Sequence, residues 1–96
     1  MIMAVYQVRL MGGLRVNVGQ KVIALDLEPA PTARDLLEAL GRAYPAVMPH
    51  VFDDDGQLLP DVLVLINSQP VYALNGLTTP VNPSDDVMMI PPLSGG

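Results

Sequence analysis

Ninety-six residues, half of them hydrophobic, suffice for one domain with a modest core. Five basic residues against ten acidic ones give a net charge of -5, and Phe52 with three tyrosines are the only aromatics. That balance speaks against nucleic acid and anionic membrane as partners and favours a basic protein surface. With no cysteine there is no disulfide framework and no thiol nucleophile, so any sulfur chemistry must run through another group. No unbroken apolar run, 62–66 included, approaches the length needed to cross a bilayer. Residues 1–13 lack the charged, then apolar, then small pattern of a secretory signal, so a cytoplasmic protein is expected.

In chain order, alternation predicts a first strand over 2–11, with Ala4, Tyr6, Val8 and Leu10 on one face and Gln7 and Arg9 on the other. Met11-Gly12-Gly13 breaks it. The segment 14–18 reads as either a short strand or an ordered loop, and Gly19-Gln20 as a turn. A second strand is expected over 21–27, where Ile23, Leu25 and Leu27 alternate with Ala24 and Asp26, and the two strands read as a loosely connected hairpin. Pro29-Ala30-Pro31 ends strand character. Thr32 then suits a helix N-cap, with Asp35 three residues on. Ala33, Leu36, Leu37, Leu40 and Tyr44 recur at helical spacing opposite Arg34, Asp35, Glu38 and Arg42, until Pro45 stops the helix.

Beyond the helix, Asp53-Asp54-Asp55-Gly56 reads as a solvated acidic turn, because the alternating ligands and closing glutamate of a calcium loop are missing. His50 has no cysteine or second histidine with which to share a metal and reads as a surface or packing residue. The wholly apolar 62–66 suits a central strand covered on both faces and flanked by a parallel neighbour. Asn67-Ser68-Gln69-Pro70 turns the chain, 71–74 suits a short strand, 77–83 a connector, and 87–90 a last strand. A single main helix across one face of a mixed sheet of four or five strands, with the first and last strands paired in the middle, is an α+β arrangement.

The stretch that organises the function is Pro91-Pro92-Leu93-Ser94-Gly95-Gly96. Two prolines bias the exit from the last strand to an extended course. The two glycines make the thinnest backbone available, suited to a narrow cleft. Fully extended, such an arm spans about 20 Å. The reading is a body over 1–90 and a tail over 91–96 that presents the carboxylate of Gly96.

The order of elements and this ending resemble the ubiquitin-like β-grasp sulfur carriers. That family includes the small subunit of molybdopterin synthase, the thiamine-biosynthesis sulfur carrier and carriers that feed cysteine synthesis. Further similarity lies in Leu14-Arg15 before Gly19, Val64-Leu65-Ile66-Asn67 before a turn, and Gly76-Leu77-Thr78-Thr79-Pro80 before Asp85-Asp86-Val87. The chain departs from the family pattern at Ser68, where glycine is frequent, at Ser84-Asp85-Asp86, where Gly-Asp is usual, and at Met88-Met89-Ile90, where the molybdopterin branch often has aromatics. The double proline leans towards the molybdopterin branch, the extra length at 53–56 towards the longer carriers.

The resemblance implies a carrier without catalytic residues of its own and without a resident cofactor or metal. Gly96 is the expected site of adenylation and thiocarboxylate formation. Gly95, Ser94, Leu93, Pro92 and Pro91 are the segment that enters a partner's active site, and Met88 and Ile90 are the expected partner contacts. The implied partners are an ATP-dependent adenylating enzyme of the ubiquitin-activating type and a sulfur acceptor such as the molybdopterin synthase large subunit. The same activated end would serve a ubiquitin-like modifier joined to lysines of target proteins.

Overall fold

Alternation along β1 (Ala4–Leu10) sets the layers: Tyr6, Val8 and Leu10 are buried, while Val5, Gln7 and Arg9 are exposed. The computed structural model describes residues 3–91. After β1 come α1 (Gly12–Val18), β2 (Val22–Leu27), α2 (Ala33–Ala43), a 3-10 turn (Pro45–Val47) and α3 (Met48–Val51). β3 (Leu63–Ile66), β4 (Gln69–Pro70), two more 3-10 turns (Val71–Ala73 and Gly76–Thr78) and β5 (Val87–Ile90) complete the described chain. The five strands form one sheet in the order β2-β1-β5-β3-β4. β1 and β5 run parallel in its middle and every other pairing is antiparallel. This is the mixed α+β, ubiquitin-like β-grasp sheet, with α2 as its main helix.

α2 begins where its chemistry requires. The Thr32 hydroxyl accepts from the Asp35 N–H at 3.3 Å, and the Asp35 carboxylate accepts from the Thr32 N–H at 2.9 Å, a complete capping box. Loss of such a cap costs about 0.5–2 kcal/mol. Leu36, Leu37 and Leu40 are buried in the core with Tyr6, Val8, Ile23 and Leu25 of the sheet. Each buried leucine contributes about 1.5–3 kcal/mol of transfer free energy. The helix ends with Tyr44 donating its N–H to the Leu40 carbonyl at 2.8 Å, and Pro45 opens the following turn.

Three expectations from the sequence are corrected. Residues 14–18 belong to α1, neither strand nor loop: Leu14 is buried, and Gly19 closes the helix in a left-handed conformation with its N–H on the Arg15 carbonyl. The β1–β2 hairpin is therefore closed by a helix. β3 is antiparallel to both of its neighbours, with Val64 and Ile66 buried and Leu63 and Leu65 only half-buried. Its unbroken apolar character therefore does not reflect a parallel partner. Residues 71–73 form a 3-10 turn that buries Val71 and leaves Tyr72 on the surface, and the outer strand is Gln69–Pro70 instead. The acidic turn at 53–56 is as expected, closed by the Asp53 carboxylate accepting from the N–H groups of Asp55 and Gln57. His50 is exposed at the end of α3.

Candidate functional site

β5 leads the chain into Pro91, the first residue of the expected tail. It sits in the interior of the sheet, with Val8, Arg9 and Leu10 of β1 opposite Val87, Met88 and Met89, and all four residues of β3 on its other side. A strand hydrogen-bonded on both sides is held far more firmly than an edge strand, so the tail leaves from a fixed base. The pairing extends one step beyond the ladder, where the Met11 N–H donates to the Met89 carbonyl at 3.1 Å. Pro91, half-buried, is the last residue described. Pro92, Leu93, Ser94, Gly95 and Gly96 lie outside the described residues, as does the expected chemistry at Gly96.

Gly12 shapes that exit, a role not evident from the sequence beyond the break at Gly12-Gly13. Its φ is +55°, in the region that disfavours side chains, and a Cβ built there would sit 3.1 Å from Cγ of Pro91. The turn from β1 into α1 and Pro91 therefore pack so closely that a methyl group would fit only if the proline ring gave way by a few tenths of an ångström.

Alternation along β5 separates two roles. Val87 and Met89 are buried in the core. Met88 and Ile90 are half-buried on the sheet face opposite α2. There Met88 lies beside Leu65, and Ile90 beside Leu63. The structure thus brings both expected contact residues together with two β3 leucines at the foot of the tail. The signal for those leucines was the uninterrupted apolar run itself, whose alternate members had to face somewhere. The same face continues to Val5 and Val22, which are 51% and 42% exposed. Its polar residues include Gln7, Asp26 and Arg9, and the Arg9 guanidinium donates to both carboxylate oxygens of Asp86 at 2.9 and 2.8 Å. Solvent-exposed ion pairs of this kind contribute about 0–1 kcal/mol, so this one orients Arg9 more than it stabilises the fold.

Turns at the opposite end of β5 are locked by side chains. Asn67 donates its side-chain amide to Asp85 at 3.0 Å and accepts from the Asp86 N–H at 2.9 Å, while Asp85 accepts from the Asn82 N–H. These bonds fix where β5 starts, and so fix its register. Among the described residues no group of three or more histidine, cysteine, aspartate or glutamate side chains is placed to hold a metal ion, and no helix is long and apolar enough to cross a membrane.

Known proteins place this architecture. Residues 8–96 match the model of the ThiS family. The chain is 34% identical over 88 residues to small archaeal modifier protein 1 of Haloferax volcanii, covering 92% of this chain and 97% of that one. The crystal structure of SAMP1 from Haloferax volcanii superimposes with a TM-score of 0.86 at 30% identity, over 97% of this chain and all of the other. The solution structure of Urm1 from Trypanosoma brucei does so with a TM-score of 0.74 at 29% identity, covering 100% of this chain and 99% of that one. A parallel β1–β5 pair at the centre of the sheet, an open apolar face at the tail's foot and a family match reaching Gly96 converge: the chain belongs to the ThiS family of ubiquitin-like sulfur carriers and modifiers.

Proposed function

We propose that the protein is a sulfur carrier whose Gly96 carboxylate is adenylated and converted to a thiocarboxylate, with molybdopterin biosynthesis as the receiving pathway. The body is 1–90 and the working tail 91–96. The observation that carries the reading is a centrally paired strand running into Pro91 and the glycine-ended segment inside the family match. The chemistry suits a chain without cysteine. A carboxylate is a poor acyl electrophile until one oxygen becomes a good leaving group. Attack of that oxygen on the α-phosphorus of ATP releases pyrophosphate and gives the acyl-adenylate. A sulfur nucleophile then displaces AMP, leaving the terminal carbonyl carbon bonded to sulfur. The carrier contributes the carboxylate and a backbone thin enough to enter the partner's site, and the partners contribute acid, base and metal chemistry.

Recognition by the adenylating enzyme and by the acceptor takes place on Met88 and Ile90 with Leu63 and Leu65. Acidic side chains elsewhere steer the encounter with a basic partner, while the apolar contact holds the complex. Conjugation to target proteins is the second reading, favoured by the name of the similar Haloferax volcanii protein. It uses the same acyl-adenylate, with a lysine amine in place of sulfur.

The test is intact-mass measurement after incubation with ATP, an adenylating enzyme of the family and a sulfur donor. The protein is expected to gain the mass difference between one sulfur and one oxygen. Deleting Gly96 should abolish the gain while leaving the unfolding midpoint unchanged, because terminal residues contribute little to stability. Incubation with a pterin precursor and the synthase large subunit should then return the carboxylate and place sulfur on the pterin. Isopeptide adducts through Gly96 to many cellular proteins, with no sulfur transfer, would establish the modifier reading instead. An intact protein that is never modified would overturn both.

A further inference from the structure

The two edges of the sheet differ in a way the tail chemistry does not use. At one edge β4 is only Gln69–Pro70, short and carrying a proline, which blunts an edge against pairing. At the other, β2 runs for six residues without proline or glycine. Its free hydrogen-bonding groups can be assigned. The Leu10 N–H donates to the Lys21 carbonyl at 2.7 Å, which makes Leu10 and Lys21 a hydrogen-bonded pair. Such pairs alternate along an antiparallel ladder, so Ile23, Leu25 and Leu27 exchange bonds with Val8, Tyr6 and Ala4. Val22, Ala24 and Asp26 therefore direct their N–H and C=O groups outward, away from β1.

Beside the far end of this edge, between β2, the turn at 29–31 and α2, lies an open cleft of about 490 Å³. Leu27 contributes apolar wall, while Asp26, Glu28, Asp35 and Glu38 line it against the single guanidinium of Arg42. Asp35 is committed to the Thr32 cap, and Glu38 lies 3.8 Å from Arg34. Among the described residues Asp26 and Glu28 form no ion pair. The β1 register puts the cleft at the Ala4 end of the sheet, whereas Pro91 leaves from the Leu10 end.

We propose that the β2 edge is a docking site for an extended, basic segment of a partner protein. The segment adds as a sixth strand on Val22, Ala24 and Asp26 and sets lysine or arginine side chains against Asp26 and Glu28. Backbone bonds supply affinity in this mode and alternate side chains supply selectivity. Charge complementarity selects the occupant. A second copy of this chain would bring two molecules of net charge -5, each with this cleft, edge to edge. The acidic end of the site lies at the Ala4 end of the sheet, opposite the Leu10 end from which Pro91 leaves, so basic side chains held there do not cover that exit. The inference does not depend on whether Gly96 carries sulfur or forms isopeptides.

The experiment is a nuclear magnetic resonance titration of the whole protein with a capped synthetic peptide of alternating valine and threonine flanked by lysine pairs. The amides of Val22, Ala24 and Asp26 should shift and gain protection from hydrogen exchange, and added salt should weaken the complex. Ala24→Pro removes an outward N–H while sparing the ladder to β1, and should weaken binding about tenfold. Glu28→Lys, at an exposed position that makes no core contact, should weaken it as well, which covers the case in which the proline variant folds poorly. Equal binding of a peptide flanked by glutamates, shifts confined to the Met88 face, or no binding would each overturn the proposal. Concentration-dependent shifts of the same amides without peptide would assign the edge to self-association and overturn it too.

Discussion

Val87 and Met89 point under α2, whereas Met88 and Ile90, each one residue along, lie on the opposite face of the same strand. All four are apolar, so composition alone does not separate them. Burial does: Met89 is 1% exposed and packed among core residues, while Met88 is flanked by Leu65 and by the side of Arg9 facing solvent. One strand thus presents two different faces, holding the domain together with one and leaving half-buried apolar side chains next to Pro91 on the other. An apolar face without a covering layer is unusual unless something binds it.

Paired truncations break this comparison most directly. Met89→Ala removes a wholly buried side chain and should lower stability by about 2–5 kcal/mol, as should Leu40→Ala on the helix that covers it. Met88→Ala should cost about 1 kcal/mol or less, since much of its surface is already in water. Association with the adenylating enzyme should show the reverse order, with Met88→Ala the more damaging at temperatures where both variants are folded. Chemical denaturation and binding kinetics on the same four proteins read both scales. Equal stability losses for the two methionines would remove the division between the faces.

How far the sequence announced this division varies from element to element. α2 was legible because cap, periodicity and stop signal agree: Thr32 with Asp35, leucines at helical spacing, and Pro45. β5 was legible to the residue, and its pairing with β1 followed from the topology. α1 was not, because Leu14, Val16 and Val18 alternate as a strand would, and β-branched valines favour strands. What makes it a helix is tertiary: Gly12 turns left-handed against Pro91, and Leu14 is buried in the core with Val18 packed against it, leaving Val16 80% exposed. The apolar run at 62–66 suggested cover on both faces, whereas its alternate residues help to build the open face. An open apolar surface was thus mistaken for core, because both are apolar. The tail was the clearest functional signal in the sequence and belongs to the residues beyond Pro91.

Gly12→Ala sharpens the comparison at the tail's foot. The substitution places a methyl group 3.1 Å from the Pro91 ring at a positive φ, and should cost about 1–3 kcal/mol. Because the clash involves the first tail residue, the rate of Gly96 adenylation should fall more than global stability predicts. Gly13→Ala is the control, since a Cβ there has no neighbour within 4 Å. If the two variants behave alike in both stability and adenylation, Gly12 is only a turn residue and has no part in directing the tail.

The smallest effect concerns the turn that sets the register of β3, and through it the pairing of Leu63 with Ile90 and of Leu65 with Met88. Asn67 and Ser68 join β3 to β4 with φ of +53° and +69°, so both occupy the left-handed region that a two-residue hairpin turn of this hand requires. Asparagine tolerates that region, and here its side chain is further held by Asp85 and by the Asp86 N–H. Serine has neither advantage: among the described residues its hydroxyl makes no hydrogen bond, and the left-handed region costs a side-chain-bearing residue about 1–2 kcal/mol. Ser68→Gly relieves that strain but adds freedom to the unfolded chain, so the net gain should be about 0.5–1 kcal/mol, read as a rise in the denaturation midpoint with unchanged slope. Ser68→Val, which cannot adopt the turn without strain, should move the midpoint the other way. Because the register is unaltered by glycine, the open face should keep its geometry and the adenylation rate should not change. A faster or slower reaction in Ser68→Gly would mean that the turn's stiffness, and not only its register, governs how the face at the tail's foot is presented.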